Sequence, residues 1–334
     1  MNQLNMDKYL TKSYTDIRRY GEMLNRSGLY KMDPVIISCA ITGALQGKEI
    51  NPNIPETLEE QVQSTYDAYN AGAAMVHIHR RDPQNTSIMS TNYHDYEEVN
   101  RGIREKCPDI IVNNTCVGAH RCDSAAMHMG PPQFGSLGAH PEVASLDLSP
   151  CSTRMIKKAR PGFPGREIDT PWNWQIMISP DEMVEAADKM TQDGAKLEME
   201  IFSVDHVRYV RHVIQNTPGL RAPHWVSMIV GGGNGVWPIP DNLIRAGQML
   251  PEDCMLNIIG IGACQTAIMT MAICMGYHIR VGLEDNAYFG YGQLADSNAQ
   301  LVERAVTIAR LLGRPVATPA QAREMLGLDT PRQY

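Results

Sequence analysis

Eight times after residue 33, a short run of apolar, mostly β-branched residues is followed by a polar turn and then, in most cases, by a longer segment with helical spacing. This alternation constrains the fold more than any other feature, because neighbouring parallel strands need long crossover connections and helices are the usual ones. The strand candidates are Val35 to Thr42, Ala74 to His79, Ile110 to Asn114, Val143 to Leu148, Lys196 to Phe202, His224 to Val230, Leu256 to Gly260 and Ile279 to Leu283. Helix starts carry local signals. Thr57 and Glu60 form a T-x-x-E capping box for a helix to about Asn70, and Ser179-Pro180-Asp181-Glu182 supplies an N-cap, a first-turn proline and a box carboxylate. Further helices are expected near Tyr93 to Lys106, Val207 to Ile214, Gln265 to Met275 and Ser297 to Leu312, with a last short one at Thr318.

Eight repeats in about 290 residues predict an α/β fold, a (β/α)8 TIM barrel with an N-terminal extension and a C-terminal extra helix. An open doubly wound sheet usually has fewer strands and a G-x-G-x-x-G turn after the first, where this chain has TGALQG. The expected organisation is an N-terminal arm, 1–33, and a single catalytic barrel, 34–334. Helical spacing at Tyr20, Met23 and Leu24 suits an arm that covers the barrel bottom or clasps a neighbouring subunit. About thirty residues after the fourth strand, including PGFPGREIDTPWNWQ, read as an irregular loop or lid. Its Trp172 and Trp174 suit loop packing or a subunit contact, or an aromatic wall for a quaternary ammonium group.

Composition narrows the partners. Lys and Arg number 30 against 37 Asp and Glu, a formal charge of -7, which offers no broad cationic face to nucleic acid or anionic lipid. No apolar run approaches the roughly 20 residues that span a bilayer, and the first residues lack a secretory h-region, so a soluble cytoplasmic protein is expected. Eight scattered cysteines without a C-x-x-C pair fit small core residues in a reducing compartment.

The sharpest chemical signal is Met75-Val76-His77-Ile78-His79-Arg80-Arg81-Asp82 at the end of the second strand. Residues two apart on a strand share a face, so His77 and His79 both point into the lumen at the carboxyl end, where barrel enzymes build their sites. The eighth strand ends in Ile279-Arg280-Val281-Gly282-Leu283-Glu284-Asp285-Asn286, and Glu284 or Asp285 could complete a two-histidine, one-carboxylate set for a divalent ion. Zinc is the first choice, and Fe2+, Mn2+ and Co2+ accept the same donors. Such an ion polarises a carbonyl or activates water, and the sequence alone does not choose. Each residue also has a bland reading: a lone lumen histidine is more often structural, and an Arg-Asp neighbour pair is often only a salt bridge. Glu198 and Glu200 share one face of the fifth strand and suit either substrate charge recognition or buried ion pairing. The GGGNG turn, with Gly232 inside it, permits close backbone approach to an anionic group of the substrate or of a cofactor.

Taken in order, AITGA (Ala40 to Ala44), VHIHRRD (Val76 to Asp82), GGGNG (Gly231 to Gly235), GIGACQ (Gly260 to Gln265), IRVGLEDN (Ile279 to Asn286) and the tail Ser297 to Glu324 strongly resemble the β-keto acid cleavage enzymes, from about Pro34 to Leu326. The resemblance implies a zinc-dependent barrel that exchanges a β-keto acid with acetyl-CoA, giving acetoacetate and a new acyl-CoA. It implies metal ligands at His77, His79 and Glu284, an Arg280 and Asp285 dyad, and a substrate hydroxyl contact at Thr115, where the lysine-fermentation member has serine. Asp285 is expected to be the general base, acting on the acetyl-CoA methyl or assisting attack, with Arg280 orienting it. Substrate contacts are also expected around Thr42, Gly43 and Leu45. After T-G-A the 3-keto-5-aminohexanoate enzyme has a glutamate for its substrate's ammonium group; Leu45 here argues against that substrate unless Glu198 or Glu200 supplies the charge. A homo-oligomer, such as a tetramer, is implied by resemblance only. The competing readings are a metal-dependent barrel hydrolase, which commonly carries H-x-H on the first strand with later histidines, and a non-catalytic barrel subunit.

Overall fold

The computed structural model describes residues 14–44, 46–116, 135–148, 150–176 and 178–334, with the side chains of 172 and 174–176 outside the description. The elements in chain order are α1 (Ile17–Ser27), β1 (Ile37–Thr42), α2 (Leu58–Ala71), β2 (Met75–Ile78), α3 (Tyr93–Lys106), β3 (Ile111–Thr115), β4 (Val143–Asp147), β5 (Cys151–Lys157) and β6 (Thr170–Ile176). There follow α4 (Pro180–Gln192), β7 (Lys196–Ile201), α5 (Val207–Asn216), β8 (His224–Gly231), α6 (Pro240–Met249), β9 (Cys254–Ile261), α7 (Gln265–Cys274) and β10 (His278–Val281). A two-stranded ribbon of β11 (Tyr288–Gly290) and β12 (Gln293–Leu294), then α8 (Asn298–Leu311) and α9 (Pro319–Leu326), complete the chain.

Eight strands close into a parallel barrel in the order β1-β10-β9-β8-β7-β4-β3-β2, as the alternation predicts. The period of two sorts the side chains. Ile37, Cys39 and Ile41 of β1, with Val76, Ile78 and Val112, pack outward under the helices in the main core. Ile36, Met75, Ile111, Val143 and Trp225 instead form a separate cluster inside the bottom of the barrel, closed by Ala317, Ala322 and Leu326 on and just before α9. The extra C-terminal helix is therefore the plug of the barrel floor. Its start follows the cap signals: Thr318 accepts from the Gln321 amide, Gln321 answers in a capping box, and Pro319 opens the helix. Equivalent boxes form at Thr57 with Glu60 and at Ser179 with Glu182.

Above the floor lies a polar layer. The Glu198 carboxylate accepts from Asn113 Nδ2, from Trp225 Nε1 at 3.2 Å and from Ser227 Oγ, and Asn257 Nδ2 donates to Ser227 Oγ at 2.9 Å. The functional mouth lies one layer higher. The N-terminal segment packs beside the floor: the Tyr20 hydroxyl donates to the Cys274 carbonyl, and Met23 is buried with Leu29 and Met32. Leu24, grouped with them by spacing, is 43% exposed.

Two expectations need correction. The stretch after the fourth strand is a regular antiparallel hairpin, with β5 and β6 paired from Cys151 opposite Ile176 to Lys157 opposite Thr170. Its Pro and Gly residues sit mainly in the connecting turn, which hid the strand pattern on either side. A helix that the spacing did not announce, α6, follows the sixth barrel strand, with Leu243 and Ala246 as its buried residues. Among the described residues, no helix is long and apolar enough to cross a membrane.

Candidate active site and metal centre

The second strand delivers the histidines. His77 stands opposite Ala40 of β1 and Asn113 of β3, and His79 follows just past the strand end; both are buried. Their Nε2 atoms are 3.1 Å apart. An Nδ1–H on His79 has a weak acceptor in Met89 Sδ at 3.3 Å, which leaves the Nε2 lone pair facing the site. Burial, reinforced by Arg280, pushes the basicity of His77 well below the usual imidazole range, so this ring is neutral.

The eighth barrel strand delivers the carboxylates through a sharp turn at Gly282. This residue has φ of 138°, and a Cβ there would lie 2.1 Å from the Ala40 carbonyl oxygen, so only glycine allows the chain to fold inward. Beyond the turn, the Glu284 amide donates to that same carbonyl at 3.2 Å. Glu284 Oε1 then lies 3.5 Å from His79 Nε2 and 3.9 Å from His77 Nε2. Its side chain fills the space beside Gly43, where a Cβ would meet Glu284 Cγ at 2.8 Å. Burial alone would raise the Glu284 pKa, but the Arg280 guanidinium beside it outweighs burial and holds the carboxyl well below its usual range.

Arg280 organises the acids. It donates to Asp285 through Nε at 3.0 Å and Nη2 at 2.8 Å, to Glu284 through Nη2 at 2.7 Å and to Glu200 through Nη1 at 3.3 Å. Burial disfavours its charge, yet Asp285 and Glu284 overcome that and raise its pKa. Asp285 is pushed up to about 6 by burial and by Glu284, against the pull of Arg280.

His77, His79 and Glu284 place one donor atom each within 4.8 Å of one another. Two imidazoles and a carboxylate are a donor set suited to a divalent cation. Among the described residues, Glu284 Oε2 and His77 Nδ1 are buried without a hydrogen-bond partner, an expensive condition that a cation and an outer contact would relieve. The residues present fit a metal ion.

The remaining expected residues divide. Glu200 joins the site through Arg280. Glu198 lies in the layer below, with its carboxylate engaged by three protein donors. Thr115 is buried at the end of β3. The Thr42 hydroxyl donates to the Pro55 carbonyl and so holds the loop after β1. Gly232 sits with φ of 64° in the turn after β8, close against Ile261. In that turn the next residue, Gly233, abuts the hairpin, since a Cβ there would meet Thr153 Oγ1 at 2.2 Å. Leu45 lies outside the described residues.

One residue was missed. Asp147, at the end of β4, stands opposite Glu200 of β7 and is buried. Burial, offset in part by hydrogen bonding to Glu200, raises the Asp147 pKa to about 6, and burial raises Glu200 well above its usual range. Glu200 lies beside Arg280, whose Nη1 is 3.3 Å from its Oε1. A single acid closing an otherwise small and apolar strand, VASLD, was the available signal.

A closed parallel barrel whose carboxyl mouth gathers two histidines, a carboxylate and an arginine-aspartate pair has the layout of a barrel enzyme with a candidate metal site. The chain belongs to the β-keto acid cleavage enzyme family, whose model matches residues 34–328. It is similar to the 3-keto-5-aminohexanoate cleavage enzyme of Acetoanaerobium sticklandii, 33% identical over 89% of this chain and 100% of that protein. It is also similar to the 3-oxoadipate:acetyl-CoA acetyltransferase of Cupriavidus necator, 33% identical over 89% of this chain and 96% of that protein. Among solved structures, ObcA in its binary complex with oxaloacetate shares the fold, with a TM-score of 0.60 at 20% identity over 83% of this chain and 68% of that one.

Proposed function

We propose that this chain transfers the acyl group of a β-keto acid to CoA, consuming acetyl-CoA and releasing acetoacetate, with a divalent cation, zinc foremost, at His77, His79 and Glu284. The observation that carries the reading is the meeting of those three groups with the Arg280–Asp285 pair at the barrel mouth of a β-keto acid cleavage family member. The barrel of residues 34–334 is the catalytic unit, 1–33 is an arm, and a homo-oligomer is part of the reading on resemblance alone.

Atom balance fixes the direction of the chemistry. Acetoacetate must combine the acetyl group with C1 and C2 of the β-keto acid, so the carbanion forms at C2 of the keto acid and not on the acetyl methyl. Asp285, whose pKa is raised toward neutrality, takes the C2 proton. The enolate attacks the thioester carbonyl and the CoA thiolate leaves. The thiolate then attacks the C3 ketone, the C2–C3 bond breaks, and Asp285 returns its proton to the departing acetoacetate carbon. A bound cation would supply the positive charge that makes the enolate oxygen accessible. Arg280 keeps Asp285 aligned, and burial, by raising the Glu200 pKa, favours the neutral acid beside that arginine. Thr115 serves as a hydroxyl contact to substrate.

Leu45 in place of the glutamate argues against 3-keto-5-aminohexanoate, and the engagement of Glu198 by three donors supports the same conclusion. A panel of β-keto acids with and without acetyl-CoA tests the proposal. Acetoacetate formed only when both are present supports it; cleavage that proceeds without CoA supports a hydrolase instead.

A further inference from the structure

The hairpin after β4 reaches across the mouth and ends in a buried ion cluster. Arg160 Nη2 lies 2.8 Å from Glu56 Oε2 and its Nε 3.4 Å from Glu49 Oε2, while Arg166 Nη2 lies 2.9 Å from Glu49 Oε1. All four side chains are at most 9% exposed, so the pairs are shielded from water and from salt. The same acids hold backbone. Glu49 Oε1 accepts from the Gly47 amide at 3.1 Å, and Glu56 Oε1 accepts from the Lys48 amide at 2.9 Å. Arg160 and the Lys48 amide keep the Glu56 carboxyl ionised against the effect of burial.

The chain of contacts continues to the site. Beside Gly47, Gln46 donates from Nε2 to the Glu284 carbonyl at 2.6 Å and to the Leu283 carbonyl at 3.3 Å. The Gln46 carbonyl is in turn held by Arg81, two residues beyond His79, which also reaches the Ala44 carbonyl at 3.4 Å. Arg81 is fully buried and faces these carbonyls with no carboxylate in hydrogen-bond contact among the described residues. A guanidinium placed this way acts as a brace for backbone, not as half of an ion pair.

We propose that Gln46, backed by the Arg160–Glu56 and Glu49–Arg166 clamp, is a positioning residue for Glu284, so that docking of the hairpin sets the geometry of the metal ligand. The proposal rests on the metal centre of the preceding section. A ligand whose backbone is tied has fewer orientations to lose on binding a cation, and removing an outer partner of a metal ligand typically weakens metal affinity about 10- to 100-fold.

The test measures Zn2+ and Co2+ dissociation constants of the metal-stripped full chain by chelator competition, with apo-protein melting as a second reading, for the parent, Gln46→Leu, Arg160→Met and the double variant. Each single variant is expected to weaken binding about tenfold, at the lower end of that range. The double variant should be little weaker than the worse single one, because both act through one chain of contacts. Affinities within about twofold of the parent, whatever the melting temperature does, would overturn the proposal. Should Arg160→Met fail to fold, Gln46→Leu, at a half-buried position, decides alone. A parent that takes up no metal contradicts the metal centre itself and the proposal with it.

Discussion

Arg280 grips Asp285 with two parallel hydrogen bonds, 3.0 and 2.8 Å long, while its Nη2 also lies 2.7 Å from Glu284. One planar guanidinium thereby aligns the proposed base with the proposed metal ligand. Asp285→Asn keeps the shape and removes the basic oxygen, so kcat should fall about 10²- to 10⁴-fold with little change in KM. Arg280→Lys should lose most of the activity too, because an ammonium cannot fork to both Asp285 oxygens. Steady-state kinetics of both variants check this, and near-parental kcat in Asp285→Asn would remove Asp285 from the mechanism.

Gly282→Ala places a Cβ against the Ala40 carbonyl at a backbone angle that L-residues avoid. The expected cost is at least about 2 kcal/mol. Because Glu284 is two residues away, metal affinity should fall along with the melting temperature. A variant that melts like the parent and binds metal normally would show that this turn relaxes freely.

His278 gives the fold an acid-sensitive point remote from the metal centre. Its Nδ1 accepts the Ile36 amide at 3.0 Å, and burial, with help from Arg314, pushes its pKa well below the usual imidazole value. The folded state therefore disfavours the proton that the unfolded chain takes up below about pH 6.5. Stability from this residue is present above that pH and is lost as pH falls below it, at no more than about 1.4 kcal/mol per pH unit. His278→Asn retains an acceptor near the same place without titrating. Denaturant midpoints at about pH 7.5 and pH 5.5 should show a smaller acid loss in the variant than in the parent, and equal losses would count against this assignment.

Leu45→Glu introduces the carboxylate that the aminohexanoate enzymes carry after T-G-A. The ratio of kcat/KM for an amino-substituted β-keto acid to that for its uncharged analogue should rise at least about tenfold, the effect of roughly 1.4 kcal/mol of charge recognition. An unchanged ratio would separate this position from acyl selection.

The barrel and the convergence of His77 and His79 were legible because both follow from the strand period, and the acidic cluster was visible at the end of an apolar strand; the choice of Glu284 over Asp285 came only with the family resemblance. What stayed hidden depends on contacts between distant segments. Glu198 and Glu200 share one face, yet one lies among Asn113, Trp225 and Ser227 and the other beside Arg280, a difference in depth that no spacing encodes. The hairpin escaped notice because Gly and Pro of its turn masked two short strands. Asp147 becomes meaningful only through its register with Glu200. The glycine turn offered an anion cradle by sequence, whereas the approach of Thr153 to Gly233 gives that glycine a packing role.

The most direct test of the exchange follows carbon. Acetyl-CoA labelled with ¹³C in both acetyl carbons is incubated with metal-loaded protein and an accepted β-keto acid, and the products are read by NMR. The account predicts acetoacetate labelled at C3 and C4 only, together with an unlabelled acyl-CoA in equal amount. Label at C1 and C2, or free acetate in place of labelled acetoacetate, would contradict it.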